Sequence, residues 1–365
     1  MIRSVYIHYP YCLRKCGYCS FISFEEKKGE SDTYIASLIR EINNYQTLLE
    51  IKPVTFYFGG GTPSLMKSEE IQRIMRLFDL SNLQESTIEV NPATVDDIKL
   101  EELKELPINR ISLGAQSFID KELGFLGRVH NLQDNYRAYS LIKKAGFENV
   151  SLDLIYGLPE QTMNDLKYNL RIILELNPEH ISTYCLSLEK DTPLAKRGVK
   201  LPEDEITASF YRYVRDQLVK EGYNQYEISN FARNGFMSQH NMNYWLNRQY
   251  VGFGCSAHGY VNNYRYFNPI DLKSYYDSVD KGILYPNKEE QDIMIRKKDY
   301  IIQGLRLTRG IEIAEYERLF GEDLLTKFRQ SFQKHKTFLE NKNGYLRIKP
   351  AGYFVSNDII LDFID

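Results

Sequence analysis

The chain has 365 residues, and its 46 Lys and Arg against 49 Asp and Glu give a formal net charge of −3 at pH 7. Because the positive and negative charges nearly cancel, the composition gives no argument for binding nucleic acid or an anionic membrane surface. The first ten residues lack a basic flank followed by a long apolar core, and no window approaches about eighteen uninterrupted apolar residues, so neither a signal peptide nor a membrane-spanning helix is predicted.

Hydrophobic periodicity predicts six strands that alternate with helices in the first part of the chain. The first helix has Ser31 or Asp32 as its expected N-cap, and later helices end at Gly146 and Gly222. The strands are predicted over residues 4–8, 54–58, 87–90, 110–115, 150–156 and 180–188, and the helices over 31–49, 68–78, 94–106, 131–145, 162–176 and 203–221.

This alternation is typical of a parallel sheet covered by helices, and both an open sheet and a barrel fit it. Unusual residues at every strand end favour a barrel with its site on the face formed by the C-terminal strand ends. Because there are only six units, we expect an incomplete (β/α)6 barrel whose side is open to a larger substrate. The predicted fold class is therefore α/β.

The pattern changes after Gly222. A strand and turn are predicted over 223–231, and two aromatic, glycine-rich stretches follow at 240–245 and 251–260. Helices over 293–304, 313–320 and 324–338, a hairpin over 344–355 around Pro350-Ala351-Gly352, and a short terminal helix suggest a winged-helix-like module. Without a basic stripe, we expect that module to be a structural cap and not a DNA-binding unit. The predicted domains are a core at 1–232, a connecting segment at 233–290 and a cap module at 291–365.

Three of the five cysteines lie on one loop after the first strand, at Cys12, Cys16 and Cys19, with the spacing Cys-x3-Cys-x2-Cys. Three thiolates on a short loop can hold three irons of a [4Fe–4S] cluster. No fourth thiolate follows nearby, so the fourth iron is open to the amino and carboxylate groups of S-adenosylmethionine (SAM). A structural zinc site usually needs four ligands, and an odd cysteine total argues against a disulfide scaffold. An oxygen-sensitive cluster requires a reducing compartment, so we expect a cytoplasmic protein.

Each later strand end offers a residue that suits SAM. Gly59, Gly60 and Gly61 lack a Cβ, so the backbone could approach a ligand closely. Glu89 could meet ribose hydroxyls or the positive charge of SAM, and Arg128 could bind a carboxylate in a forked geometry. Two further polar candidates are Gln116 and Asp153. The structural alternatives are a surface ion pair for Arg128 and a helix cap or buried hydrogen bond for Asp153. We expect Cys185 and Cys255 to be small buried residues.

Several of these stretches resemble one known family. They are Tyr6-Ile7-His8-Tyr9-Pro10-Tyr11-Cys12, Gly59-Gly60-Gly61-Thr62-Pro63, Ile88-Glu89-Val90-Asn91-Pro92, Leu113-Gly114-Ala115-Gln116-Ser117 and Asp153-Leu154-Ile155-Tyr156-Gly157-Leu158-Pro159. Together they resemble the radical SAM proteins of the oxygen-independent coproporphyrinogen III oxidase family, over most of the chain including the C-terminal module. The resemblance implies SAM contacts at Tyr6, Gly60, Gly61, Thr62, Glu89, Gln116, Arg128 and Asp153. In the oxidase branch some of these positions hold a second SAM, and the number of SAM sites here stays open.

Two departures from the oxidase pattern look like the HemW branch, whose members are haem chaperones. The oxidases continue to a fourth cysteine, whereas this chain has Phe21 at that position. The second departure is the motif His-Asn-x-x-Tyr-Trp, which begins at His240 and ends with Tyr244 and Trp245. An imidazole is a good axial ligand for haem iron, and the two aromatic rings offer flat faces for a porphyrin. The alternative is a structural histidine beside a packed tryptophan, and His258 is a second candidate ligand.

The resemblance thus implies a haem chaperone that carries a [4Fe–4S] cluster, SAM and haem and that lacks coproporphyrinogen oxidase activity. Its implied partners are haem, a haem-acceptor protein, an electron donor protein, a membrane-bound acceptor contacted peripherally and a second copy of the chain. Two enzyme functions stay open: oxidative decarboxylation of coproporphyrinogen III, and radical SAM chemistry on another substrate. Phe21 in place of cysteine argues against the former.

Overall fold

The computed structural model describes residues 1–27 and 29–364. They form two compact units, one made of residues 1–210 with 249–289 and the other of residues 211–248 with 290–364. These units do not coincide with the three predicted segments, because 249–289 belongs to the first unit and 211–232 to the second. The three predicted domains stay a prediction.

The first unit is built on seven parallel strands that form one sheet in its described residues. They are Ile2–Tyr9 (β1), Ile51–Gly60 (β2), Glu85–Val90 (β3), Arg110–Gln116 (β4), Asn149–Tyr156 (β5), His180–Cys185 (β6) and Val251–Phe253 (β7). Strands β1 to β6 follow one another in sheet order, and β7 lies on the other side of β1. Consecutive strands that are also neighbours are the order expected of the predicted incomplete barrel.

Alternate residues of these strands face opposite sides of the sheet. One set is apolar and fully buried, as at Val5, Phe56 and Leu152, and it forms the core. The other set is polar: in the register between neighbouring strands, Glu89 pairs with Ser112, and Asp153 pairs with Ser182. The polar set includes residues that line the cavity described below, so strand periodicity selects which side chains face it.

Helices connect the strands. In the first unit they are Glu30–Gln46, Ser68–Met75, Asp97–Lys104, Asp120–Leu126, Leu132–Lys144, Met163–Leu176, Pro193–Lys196 and Leu272–Asp280, with 3₁₀ turns at Pro63–Leu65 and Pro92–Thr94. The helix Asp204–Lys220 runs from the first unit into the second. Asn131 and Thr162 cap two of these helices with their side-chain oxygens.

All six predicted strands are confirmed, and the α/β class and barrel order with them. The seventh strand, β7, was not predicted, because it is three residues long and contains a glycine. The predicted N-cap of the first helix was wrong: Gly29 occupies that position with φ of 83°, and it offers no side-chain hydrogen bond. The short helix Asp120–Leu126 was also missed.

The second unit contains the C-terminal helical module. Its helices are Gln239–Trp245, Ile293–Arg306, Ile313–Phe320, Leu324–Lys327, Arg329–Lys334 and Ser356–Ile364, and its strands are Asn224–Gln225, Asn230–Ala232, Ile311–Glu312, Leu339–Lys342 and Tyr345–Ile348. The last three strands form an antiparallel sheet with Tyr345–Ile348 in the middle.

Two details of this module correct the prediction. The helix expected over 324–338 is two short helices separated at Phe328. The hairpin turns at Asn343-Gly344, both with positive φ, and Pro350–Gly352 is a 3₁₀ turn after it. An Asn-Gly pair suits the left-handed conformation that a two-residue hairpin turn requires, so this signal was available in the sequence.

No helix within residues 1–27 and 29–364 combines the length and the apolar character needed to span a bilayer.

Candidate functional site

A cavity of about 460 Å³ opens at the C-terminal ends of the strands of the first unit. It brings together ten of the predicted site residues: Cys12, Cys16, Cys19, Gly60, Gly61, Thr62, Glu89, Gln116, Arg128 and Asp153. Most of these residues come from the loop after β1 and from the ends of β2 to β5, whereas Arg128 follows the helix Asp120–Leu126. The structure thus brings them together on the strand-end face, and their binding roles stay a prediction.

Hydrogen bonds from its backbone and from the Arg14 side chain join the cysteine loop to distant segments of the chain. The Gly17 amide donates to the Leu126 carbonyl at 2.9 Å, and the Leu194 amide donates to the Gly17 carbonyl at 2.9 Å. The Arg14 guanidinium donates to the Gly127 carbonyl at 3.0 Å. These contacts come from distant segments, and they hold the loop in one conformation above the cavity.

Gly60 and Gly61, at the end of β2, pack closely against the chain that leads into the cysteine loop. A Cβ on Gly60, whose φ is +116°, would lie 2.8 Å from the His8 ring, and a Cβ on Gly61 would lie 2.6 Å from the Tyr11 carbonyl oxygen. The Gly61 amide donates to the Tyr9 carbonyl at 2.7 Å. Both glycines line the cavity, but what requires them to lack a side chain is the chain that leads into the cysteine loop.

Two half-buried carboxyl groups, those of Glu89 and Asp153, line the cavity. Glu89 accepts a hydrogen bond from the Tyr57 hydroxyl at 2.9 Å. Burial raises the pKa of Glu89 to about 7, against the effect of that hydrogen bond, and the nearby charge of Asp153 adds to the rise. Burial likewise raises the pKa of Asp153, which accepts from the Ser151 hydroxyl at 3.4 Å. A cationic ligand would favour the ionised form of both.

Arg128 contacts the cysteine loop. Its Nη1 donates to Cys16 Sγ and to the Tyr18 hydroxyl, each at 3.4 Å, and its Nη2 donates to the Gly114 carbonyl at 2.9 Å. Its buried Nε has no hydrogen-bond partner. The surface ion pair considered as an alternative for Arg128 is therefore wrong, and its positive charge lies beside a thiol that a cluster would hold as a thiolate.

Two of the cysteine thiols are affected by their surroundings. Thr62 Oγ1 donates to Cys12 Sγ at 3.5 Å, and burial raises the pKa of both Cys12 and Cys19.

The backbone at the end of β4 is in a left-handed turn at the cavity, because Gln116 has a φ of 66°. In the described part of the chain no three His, Cys, Asp or Glu side chains converge on one point as ligands of a single ion. A [4Fe–4S] cluster does not need such convergence, because each of its sulfur ligands binds a different iron.

Two predicted residues do not line this cavity. The Tyr6 hydroxyl lies 3.1 Å from His8 Nδ1, and the Tyr6 ring stacks on Tyr57 with the ring centres 6.1 Å apart. His240 belongs to the helix Gln239–Trp245 of the second unit and is fully buried there. Its Nε2 lies 2.8 Å from the Tyr244 hydroxyl.

The C-terminal end of β6 also lines the cavity, which was not predicted from the sequence. Cys185, expected to be buried and structural, lines the cavity and is partly exposed, and the neighbouring Tyr184 also lines it. Both stand at the C-terminal end of β6, so the rule that placed the other residues would have found them. The expectation for Cys255 is confirmed, since it is buried and its thiol donates to the Pro269 carbonyl at 3.2 Å.

Comparison with known proteins matches two parts of the chain to family models. Residues 6–173 match the model of the Radical SAM superfamily, and residues 298–355 match the HemN C-terminal domain. The chain is 33% identical to "Heme chaperone HemW" of Bacillus subtilis (strain 168), covering 100% of this chain and 99% of that protein. It is 34% identical to "Heme chaperone HemW" of Lactococcus lactis subsp. lactis, covering 99% and 97%.

The chain belongs to the HemW family of radical SAM proteins. Its fold is that of coproporphyrinogen III oxidase (HemN) from Escherichia coli, with a TM-score of 0.87 over 99% of this chain and 90% of that one, at 22% identity. At that identity the likeness concerns the fold alone. Membership of the radical SAM superfamily implies a [4Fe–4S] cluster and SAM, and a cavity that joins three cysteines, an arginine and two carboxyl groups fits both.

Proposed function

We propose that this protein is a cytoplasmic haem chaperone, which binds haem and delivers it to acceptor proteins while holding a [4Fe–4S] cluster and exchangeable SAM. One observation carries the proposal: the likeness to proteins named "Heme chaperone HemW" extends over nearly the whole of each chain at 33% and 34% identity. A haem chaperone needs no catalytic residue, and none is assigned.

In this proposal Cys12, Cys16 and Cys19 are the cluster ligands. Their loop supplies three thiols to the cavity, and Phe21, which replaces the fourth cysteine of the oxidases, is 66% exposed. Arg128 stabilises the thiolate of Cys16 through its Nη1. The cluster, when bound, supplies one-electron chemistry, and the protein supplies its position and its charge environment.

SAM is proposed to bind in the same cavity. Glu89 and Asp153 supply negative charge for its ammonium and sulfonium groups, and the partly exposed amide of Gln116 supplies hydrogen bonds. The backbone of Gly60, Gly61 and Thr62 forms the adjoining wall. Tyr6 is proposed to position Glu89 indirectly, because its ring stacks on Tyr57 and the Tyr57 hydroxyl donates a hydrogen bond to Glu89.

Haem is proposed to contact His240 in the second unit, with Tyr244 and Trp245 as flat neighbours. The Arg306 guanidinium lies 5.1 Å from the centre of the Trp245 ring, which places a cation beside the motif for a propionate. Because His240 is fully buried, iron ligation by its Nε2 requires the helix Gln239–Trp245 to open and the contact with Tyr244 to break. The haem-binding form thus differs from the one described.

The proposed partners are those expected from the sequence: a haem acceptor, an electron donor protein that sets the cluster's redox state, a membrane-bound acceptor reached peripherally, and a second copy of the chain. The cluster state is proposed to control haem transfer. The alternative of coproporphyrinogen III oxidation has the fold likeness to HemN behind it, but that likeness carries no activity, and Phe21 argues against it.

One reconstituted sample tests the proposal. The protein is loaded with iron and sulfide anaerobically, and then haem binding, haem transfer to an apo-haemoprotein, SAM cleavage and coproporphyrinogen III turnover are measured. We expect a Soret shift on haem addition, transfer to the acceptor, and no protoporphyrinogen. Protoporphyrinogen formation, or haem that neither binds nor leaves, would refute the proposal. Haem release that is the same with oxidised and reduced cluster would refute redox control alone.

A further inference from the structure

One hairpin of the first unit presents an accessible histidine. The strand His258–Val261 pairs antiparallel with Tyr264–Phe267, and His258 is opposite Phe267 in the register. The His258 side chain is exposed. Its ring stacks on the Phe267 ring, with the centres 5.5 Å apart and an interplanar angle of 28°. The stack limits the rotation of the imidazole.

The other five histidines are less suited to meet an external ligand. His8, His130, His180 and His240 are buried. His335 forms an ion pair with Asp362. Among residues 1–27 and 29–364, His258 is therefore the one histidine whose side chain is exposed. Partial desolvation, and then the charge of Arg265, lowers the pKa of His258, which favours the neutral ring.

A cation shares this face of the hairpin. Tyr260 is opposite Arg265 in the register, and residues two apart on a strand face the same side, so His258, Tyr260, Arg265 and Phe267 share one face. The Arg265 guanidinium lies 4.9 Å from the centre of the Tyr260 ring, which holds it in place. Imidazole, aromatic ring and guanidinium match the three parts of a haem: iron, porphyrin edge and propionate.

We propose that this face, the His258 face, binds haem, with His258 as an axial ligand of the iron, Phe267 against the porphyrin edge and Arg265 paired with a propionate. The inference rests on the proposed function, because it names where that function's haem first binds. In the described conformation the His258 imidazole is exposed to solvent, whereas the His240 imidazole is buried. His258 therefore ligates haem before the helix Gln239–Trp245 opens.

The test is a haem titration of the full-length, cluster-loaded protein and of single variants. His258→Ala removes the ligand, His240→Ala removes the motif histidine, and Arg265→Ala removes the cation. Lys288→Ala is the matched control, because its ammonium lies 5.3 Å from the centre of the Tyr264 ring, which stands on the opposite face of the same hairpin. Soret absorption gives the affinity, and the spin state of ferric haem reports the axial ligand.

We expect His258→Ala to weaken haem binding at least about tenfold, since loss of even a supporting partner of a metal ligand costs about 10–100-fold. Added free imidazole should restore the Soret shift of this variant, which a merely misfolded hairpin would not allow. Arg265→Ala should weaken binding of haem about two- to fivefold but leave binding of haem dimethyl ester unchanged. Lys288→Ala should bind as the wild type does.

Unchanged affinity and spin state in His258→Ala would overturn the inference. If His240→Ala alone then lost haem, the proposed function would stand with its originally proposed ligand. A wild-type protein that gives no Soret shift would instead refute the proposed function and the inference together.

Discussion

Replacing Glu89 by glutamine removes a half-buried carboxyl group whose ionisation is disfavoured in the folded protein without a cationic ligand. The pKa of Glu89 is about 7 in the folded protein, against 4.5 for an ordinary glutamate. At 1.36 kcal/mol per unit, that difference corresponds to about 3 kcal/mol. Because the folded state holds the proton more tightly than the unfolded state, this group makes unfolding progressively easier as pH rises from about 4.5 to 7.

The assay compares the free energy of urea unfolding of apo wild type and Glu89→Gln at pH 5 and pH 8. Glutamine does not titrate, so the variant should gain stability relative to the wild type as pH rises, by an amount on the order of 3 kcal/mol. Glu101→Gln makes the same chemical change at an exposed helix position and serves as the control. It should show no such pH-dependent difference.

The same reasoning predicts how a cationic ligand binds. An ionised Glu89 attracts SAM, and the ligand must displace the proton, so SAM affinity of the wild type should rise between pH 6 and pH 8. Calorimetric titration of the cluster-loaded protein measures this directly, and Glu89→Gln should bind SAM more weakly and with a flatter pH dependence. In the urea unfolding assay, a wild type and a Glu89→Gln variant whose free energies of unfolding fall by the same amount from pH 5 to pH 8 would refute the raised pKa of Glu89.

Three further predictions follow from the geometry. Cys16→Ser should abolish the cluster's visible absorption and lower bound iron, whereas Cys185→Ser should keep both; an intact cluster in the former would contradict the ligand assignment. Gly61→Ala should cost about 1–3 kcal/mol in unfolding free energy, because its Cβ would lie 2.6 Å from the Tyr11 oxygen, and Gly124→Ala, with no atom within 4 Å, should not. Tyr244→Phe should speed haem binding in stopped flow, by up to about fivefold for a hydrogen bond worth about 1 kcal/mol; slower binding would argue against His240 as ligand.

The cysteine loop shows how far the sequence alone could lead. The spacing of Cys12, Cys16 and Cys19 and the strand before them predicted a cluster loop at a strand end, and the three cysteines do line the cavity. What the spacing could not show is how the loop is held. Its backbone partners, Leu126 and Leu194, are more than a hundred residues away in sequence, and only folding brings them to Gly17.

Local patterns also failed where packing decides exposure. Cys185 and Cys255 look alike in sequence, yet one lines the cavity at the end of β6 and the other is buried. His240 and His258 differ in a similar way: the motif histidine His240 is buried, and His258 is exposed to solvent. Burial depends on which distant segments cover a side chain, and periodicity contains no information about them.

The amino-acid sequence by itself determined the succession of six strands and helices, and with it the set of residues that stand at the carboxyl ends of the strands. Alternation of apolar and polar residues is a local property, so it can be read without the fold. Only the tertiary structure decided that β7 joins β1, that Gly60 and Gly61 make room for the cysteine loop, and that one imidazole is accessible while another is closed. Those outcomes depend on contacts between residues far apart in the chain, which form only when the whole unit packs.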